Sequence, residues 1–239
     1  MSKGLKIQAD GPLLTVLMDH GEGNQFTREM CEELSSLLAE PPSGARLLLL
    51  RSAGPTFCTG RDGSASGASE VRAMARALAE VNVGIVFSGL TVVAEVGGAA
   101  AGFGVGLAGL ADVTVASSAA TFRFPEVAAS LAPALVLAWL PHVVGRRMAY
   151  WLASTGCTFD AVEAKRLVII NEMVEPDCLS GRVDEVVEGL LGASASVIQA
   201  IKRDLLSNSW LQMREDSFAA ADRLALRALT RADQDQASV

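Results

Sequence analysis

The chain has 239 residues, half of them apolar but only 5% aromatic, so one sizeable core must be built from Ala, Val and Leu rather than from rings. That apolar content excludes a disordered chain, and a net charge of −7 excludes the basic stripe that nucleic-acid binding needs. Cys31, Cys58, Cys157 and Cys178 are far apart, without CxxC pairing and with only two histidines in the chain, which argues against a metal site and for a reducing compartment.

The opening "MSKGLKIQADG" holds no long apolar run. The longest uncharged apolar stretch, 96–111, is closed by Glu95 and Asp112 and falls short of the roughly 20 residues of a spanning helix. The expectation is a soluble cytoplasmic protein with no membrane or nucleic-acid partner.

In chain order, 5–8 and 13–18 read as strands joined across Asp10-Gly11-Pro12. Thr27 can cap a helix that places Met30, Leu34, Leu37 and Leu38 on one face. "RLLLLR" (46–51) has the length and continuous apolarity of a strand buried on both faces of a parallel sheet. A turn-rich loop, "SAGPTFCTGRDGSASG", follows. Ser69 and Glu70 then open a helix carrying Val71, Met74, Ala75 and Leu78. Strands are expected at 92–96 and 113–116, with the glycine-rich "GGAAAGFGVGLAG" between them. Helices are expected over 134–153, 160–166, 178–191, 195–207 and 213–232, with a frayed tail "TRADQDQASV". This is an α/β pattern, with a core over 1–185 and a helical C-terminal part over 186–239.

"GVGLAG" matches G-x-G-x-x-G, but only Leu110 and Ala111 separate Gly109 from Asp112 and the next strand. A dinucleotide fold needs a full crossover helix there. Two readings remain from the residues: close backbone packing, and a helix N-terminus whose free N–H groups face a developing oxyanion, with a second donor from "FCTGRD".

Three ordered blocks carry a resemblance. "GPTFCTGRD", "TVVAEVGGAAAGFGVGLAGLADVTVAS" and "ATFRFPEVAASLAP" resemble the corresponding segments of the crotonase superfamily, the enoyl-CoA hydratases and isomerases, and "LPHVVGRRMAYWLASTGCTFDAVEAKRLVIINEMVEPDCL" continues the likeness. The resemblance implies a ββα spiral core with a helical C-terminal part that mediates trimers, often paired into hexamers. It implies an acyl-CoA thioester as substrate, with coenzyme A entering as part of that substrate and no other cofactor. By position it puts the oxyanion-binding amides at Arg61 and Phe103, following Gly60 and Gly102. It puts one glutamate base at Glu126. The second glutamate of hydratases falls on Gly106.

A single carboxylate favours moving a double bond over adding water, because one base can take a proton from C2 and return one at C4. The expected function is therefore an enoyl-CoA isomerase. A hydratase, or another lyase or hydrolase of the family, with a different water-orienting group is the alternative, and a non-catalytic acyl-CoA-binding or assembly protein is a third reading. Asp62, Cys58 and His20 join Gly60 and Gly102 as candidates for substrate or CoA contact, with Cys58 read as packing. The Arg61 guanidinium is a candidate for a CoA phosphate. Glu95, a charge inside an apolar strand, stays open as a second carboxylate or a subunit contact. His142 reads as a packing histidine.

Overall fold

The computed structural model describes residues 3–206 and 208–237. Among these, six strands form a large sheet: β1 (Leu5–Asp10), β2 (Leu13–Met18), β3 (Leu47–Ser52), β5 (Thr91–Val96), β7 (Val113–Ser117) and β10 (Glu172–Val174), adjacent in that order. Only the β1–β2 hairpin is antiparallel. A small sheet runs β4 (Thr56–Cys58), β6 (Ala99–Ala101), β8 (Thr121–Arg123) and β9 (Phe159–Asp160). The chain passes from large-sheet strand to small-sheet strand to helix and repeats: β3, β4, α2 (Gly67–Phe87), then β5, β6, α3 (Phe103–Leu110), then β7, β8 and a 3-10 helix at Pro125–Ala129. This is a ββα spiral in layers, consistent with the α/β class expected from the sequence.

β3 illustrates why the sheet forms where it does. Leu48 and Leu50 pack into the main core between the sheets, while Leu47 and Leu49 join a second cluster on the outer face with Val93, Val115, Leu179, Val183 and Val187. Both faces are buried, as a continuous apolar run requires. The outer face is covered by α7 (Leu179–Gly192). The division at 185/186 falls inside this helix, and Val183 and Val187 on either side of it belong to one cluster. The covering layer of the core therefore extends through α7.

Helix starts follow local chemistry. Thr27 caps α1 (Arg28–Ala39), its hydroxyl accepting from the Met30 N–H at 3.2 Å. α2 starts earlier than expected, at Gly67, because the Glu70 carboxylate reaches back to the Ser66 N–H at 2.8 Å. The helix expected over 134–153 is broken into α4 (Ala134–Leu137) and α5 (Leu140–Thr155), and α5 is kinked where Gly145 has φ 76°. α6 (Ala161–Arg166) is capped by Asp160, and α8 (Ala195–Leu205) follows α7.

α9 (Asn208–Ala237) is longer than expected: its backbone stays helical through most of the segment read as a frayed tail, of which Ser238 and Val239 lie outside the described residues. It folds back along α2, tied by an Arg72–Asp222 ion pair at 2.8 Å and by buried Met213, Ala220 and Ala221. α8 is anchored by one side chain. Lys202 Nζ donates to the Ile85 and Leu90 carbonyls and to Asp112, whose carboxylate also accepts from the Val92 N–H. No helix among the described residues is long and apolar enough to cross a membrane.

Candidate active site

The small sheet builds the site. β4, β6 and β8 are parallel, with Cys58 opposite Ala100 and Ala101 opposite Arg123. The loops leaving their C-terminal ends therefore emerge side by side: Gly60-Arg61, Gly102-Phe103 and Pro125-Glu126. All six of these residues line one cavity of about 700 Å³. The first and third elements of the site are more than 60 residues apart in sequence, yet strand register alone brings them together.

At the first loop, the Phe26 N–H donates to the Gly60 carbonyl and the Asp62 N–H to the Phe26 carbonyl, both at 2.9 Å. In a parallel bridge of this kind the intervening residue, Arg61, has its own N–H turned to the opposite edge. At the second, Gly102 takes φ 52° and ψ −114°, a conformation that suits glycine, and the chain enters α3 directly. Phe103 is the first residue of that helix, where an N–H has no intrahelical acceptor and sits at the positive end of the dipole. Its ring is held edge-on against buried Phe26, with centroids 5.2 Å apart. The two amides belong to loops in direct contact, since a Cβ on Gly60 would lie 3.5 Å from the Ala101 carbonyl oxygen.

Glu126 stands beside this pair. A Cβ on Gly102 would lie 3.0 Å from Glu126 Oε1, so the carboxyl is next to the Gly102-Phe103 turn. Its Oε2 is buried without a hydrogen-bond partner among the described residues. Burial pushes the Glu126 carboxyl above the ordinary carboxylate range, against smaller opposing effects of its own backbone N–H and the Arg61 charge. Asp62 also lines the cavity. Its Oδ2 accepts from the Ser64 hydroxyl at 2.7 Å, and its Oδ1 is buried with no hydrogen-bond partner among the described residues. The Arg61 guanidinium donates to the Asp62 carbonyl.

The other sequence candidates are placed elsewhere. Cys58 is fully buried, does not line the cavity, donates to the Gly60 carbonyl and has its thiol pushed up to about 12 by burial. It supports the loop from within. His20 is half-buried, with its N–H donating to Asn24, and does not line the cavity. Glu95 is answered by Arg51 on the neighbouring strand β3, in an ion pair on the large sheet, and does not line the cavity. His142 packs against Trp210 with ring centroids 5.6 Å apart.

Two lining residues escaped sequence reasoning. Val71, Ala75, Leu78 and Asn82 form one helical stripe of α2, and all four line the cavity. A polar residue in the next slot of an apolar stripe was the available signal. Trp139 is the second, a buried ring whose indole edge lies against α3. α9 closes the far wall with Leu224, Arg227 and Ala228.

A ββα spiral with two backbone amides and a carboxyl at one cavity is an arrangement that can polarise a carbonyl and hold or move a proton beside it. The enoyl-CoA hydratase/isomerase family model matches residues 12–238. A Rhodobacter capsulatus protein named as a probable enoyl-CoA hydratase is 34% identical over 170 residues, covering 69% of this chain and 66% of that protein. The trans-2-decenoyl-[acyl-carrier-protein] isomerase of Streptococcus mutans is 28% identical, covering 89% of this chain and 85% of that protein. The crystal structure of an enoyl-CoA hydratase from Mycobacterium avium superposes with a TM-score of 0.83 at 24% identity, covering 94% of this chain and 90% of that one, a likeness of fold. The chain belongs to the crotonase superfamily of enoyl-CoA hydratases and isomerases, and is a crotonase-type acyl-CoA enzyme.

Proposed function

We propose that the enzyme is an enoyl-CoA isomerase that shifts a double bond between C3 and C2 of an acyl-CoA. The thioester carbonyl accepts hydrogen bonds from the Arg61 and Phe103 amides, which favour the enolate over the neutral carbonyl because they are fixed before charge develops. Glu126 takes a proton from C2 and returns one at C4, or the reverse, while the two amides hold the dienolate. The observation that carries this reading is the contrast along the cavity wall. Glu126 presents a buried, unpaired carboxylate oxygen beside Phe103, whereas Gly106, one turn into α3, presents no side chain. An apolar wall of Val71, Ala75, Leu78, Leu131, Leu135 and Val136 keeps competing water away from the dienolate.

A hydratase is the second reading, and Asp62 is what favours it. Its buried Oδ1, without a partner among the described residues and on the same cavity, is the group that would orient the water. The names borne by relatives include both chemistries. The experiment is direct: incubate 3-enoyl-CoA and 2-enoyl-CoA substrates with the enzyme and separate the products by mass and retention. A positional shift without mass change is expected; a gain of one water assigns the hydratase. In deuterium oxide, Glu126→Gln is expected to lose C2 proton exchange by about 10²–10⁴-fold, and full retention of exchange defeats the single-base mechanism. The assembly we propose is a homotrimer or a pair of trimers in the cytoplasm, with no cofactor beyond the coenzyme A of the substrate.

A further inference from the structure

The space left by Gly106 is polar. Asn82 is only 2% exposed, on an apolar turn between buried Val81 and Val83, and its Oδ1 is buried with no hydrogen-bond partner among the described residues. A Cβ built on Gly106 would lie 3.5 Å from Asn82 Oδ1 and 3.7 Å from Trp139 Nε1. An acceptor and a donor thus flank one point, and Gly106, Asn82 and Trp139 all line the cavity. Trp139 is fixed in this orientation. Its ring packs against Phe124 with centroids 6.3 Å apart, and a Cβ on Gly109 would come within 3.0 Å of it.

A buried amide oxygen without a donor carries an uncompensated desolvation cost, and a hydrocarbon chain laid over it leaves that cost in place. The surrounding wall is aliphatic, so the recess is a local polar exception rather than part of a wet channel. The group that satisfies both atoms is one that donates to Asn82 Oδ1 and accepts from the indole N–H, which is an O–H. We infer that Asn82 and Trp139 form a specificity site for a hydroxyl group carried on the acyl chain of the substrate. This rests on the isomerase reading in one respect. If the reaction uses C2, C3 and C4, the hydroxyl is a spectator and sits at C5 or beyond. Gly106 lies one helical turn, about 5 Å, from the Phe103 amide, so the recess is a short reach along the chain from the thioester.

The test is calorimetric titration of 3-, 5-, 6- and 7-hydroxyoctanoyl-CoA against octanoyl-CoA. At least one of the 5-, 6- or 7-hydroxy chains is expected to bind about 10-fold tighter than octanoyl-CoA. The preference falls to about one in Asn82→Leu and to an intermediate value in Trp139→Phe, which keeps the ring but removes the donor. Asn82→Leu is expected to raise the Tm of the ligand-free protein, since it removes an unpaired buried acceptor, and this shows that the variant folds. Equal binding of all chains, a preference confined to the 3-hydroxy chain, or a preference that survives Asn82→Leu overturns the assignment. So does hydration of 2-enoyl-CoA that disappears in Asn82→Leu, because the recess then holds water. Double-bond movement is scored separately on unsubstituted 3-enoyl-CoA. No shift with the hydroxyl preference intact removes the isomerase reading alone; a shift with no preference removes the hydroxyl site alone.

Discussion

In the proposed mechanism Glu126 concentrates the chemistry of the site in one titration. Burial raises its folded-state pKa, so the group holds its proton more tightly in the native protein than in the unfolded chain. A base must be ionised, so kcat/KM is expected to fall on the acid side with a midpoint above the ordinary glutamate value of about 4.3. The Arg61 charge opposes the shift, so Arg61→Gln moves that midpoint further up while leaving the backbone amide in place. A pH profile of both proteins reads this, and a midpoint that moves down in Arg61→Gln contradicts the proposed electrostatics. The same sign governs stability. Because the native state binds more protons than the unfolded state between the two pKa values, stability falls as pH rises through that window. The Glu126→Gln protein is therefore expected to be the more stable of the two above it and no different below it. The apolar run after Glu126, "SLAPALVLAWL", already pointed in the sequence to a pocket that raises this pKa, although Pro125-Glu126 by itself also reads as a helix-start carboxylate. The resemblance proposed the role, and only the fold shows an oxygen without a partner among the described residues.

At the scale of elements, the positioning device is a set of three-residue strands. β4, β6 and β8 are too short to show the alternation by which strands are recognised, and two of them sit in stretches that read as loop and glycine-rich turn. β3 was legible because four consecutive leucines between two arginines admit few alternatives, and Thr27 was legible because capping is local chemistry. Asn82 was not, because its meaning depends on a glycine on another helix. α3 is docked onto β4 at one point. A Cβ on Gly104 would lie 1.9 Å from the Cys58 carbonyl oxygen, a main-chain atom fixed by the sheet. Gly104→Ala is expected to lower stability by about 3 kcal/mol or more in urea unfolding, and to reduce activity in whatever protein still folds, because the Phe103 amide moves with the helix. Unchanged stability means that α3 can shift without cost, and the close fit then has no role in holding the donor.

For the whole molecule, the C-terminal helices divide their work. α9 lies against α2 of its own chain, but α8 presents Val197, Ile201 and Leu205, 55%, 52% and 72% exposed, at four-residue spacing on one face. A regular apolar stripe of this kind on a well-anchored helix is suited to a subunit contact. Light scattering is expected to give three or six times the chain mass, with Ile201→Asp shifting the population toward smaller species. A single-chain mass for the unaltered protein rules the assembly out. The alternation of strand and helix made the α/β class legible from the sequence. The boundary near 185 was less so, because α7 carries the polar surface of a peripheral helix yet supplies Val183 and Val187 to the sheet.

The long final helix has a consequence for how the enzyme meets its substrate. Leu224, Arg227 and Ala228 lie on a helix that follows every loop of the site in the chain, and they close the cavity that those loops line. The wall is supplied by an element separate from the small sheet that places Gly60, Gly102 and Glu126. Any ligand that touches this wall also adds to the free energy holding α9 in place, which makes occupancy of the pocket and docking of the C-terminus two readings of one equilibrium.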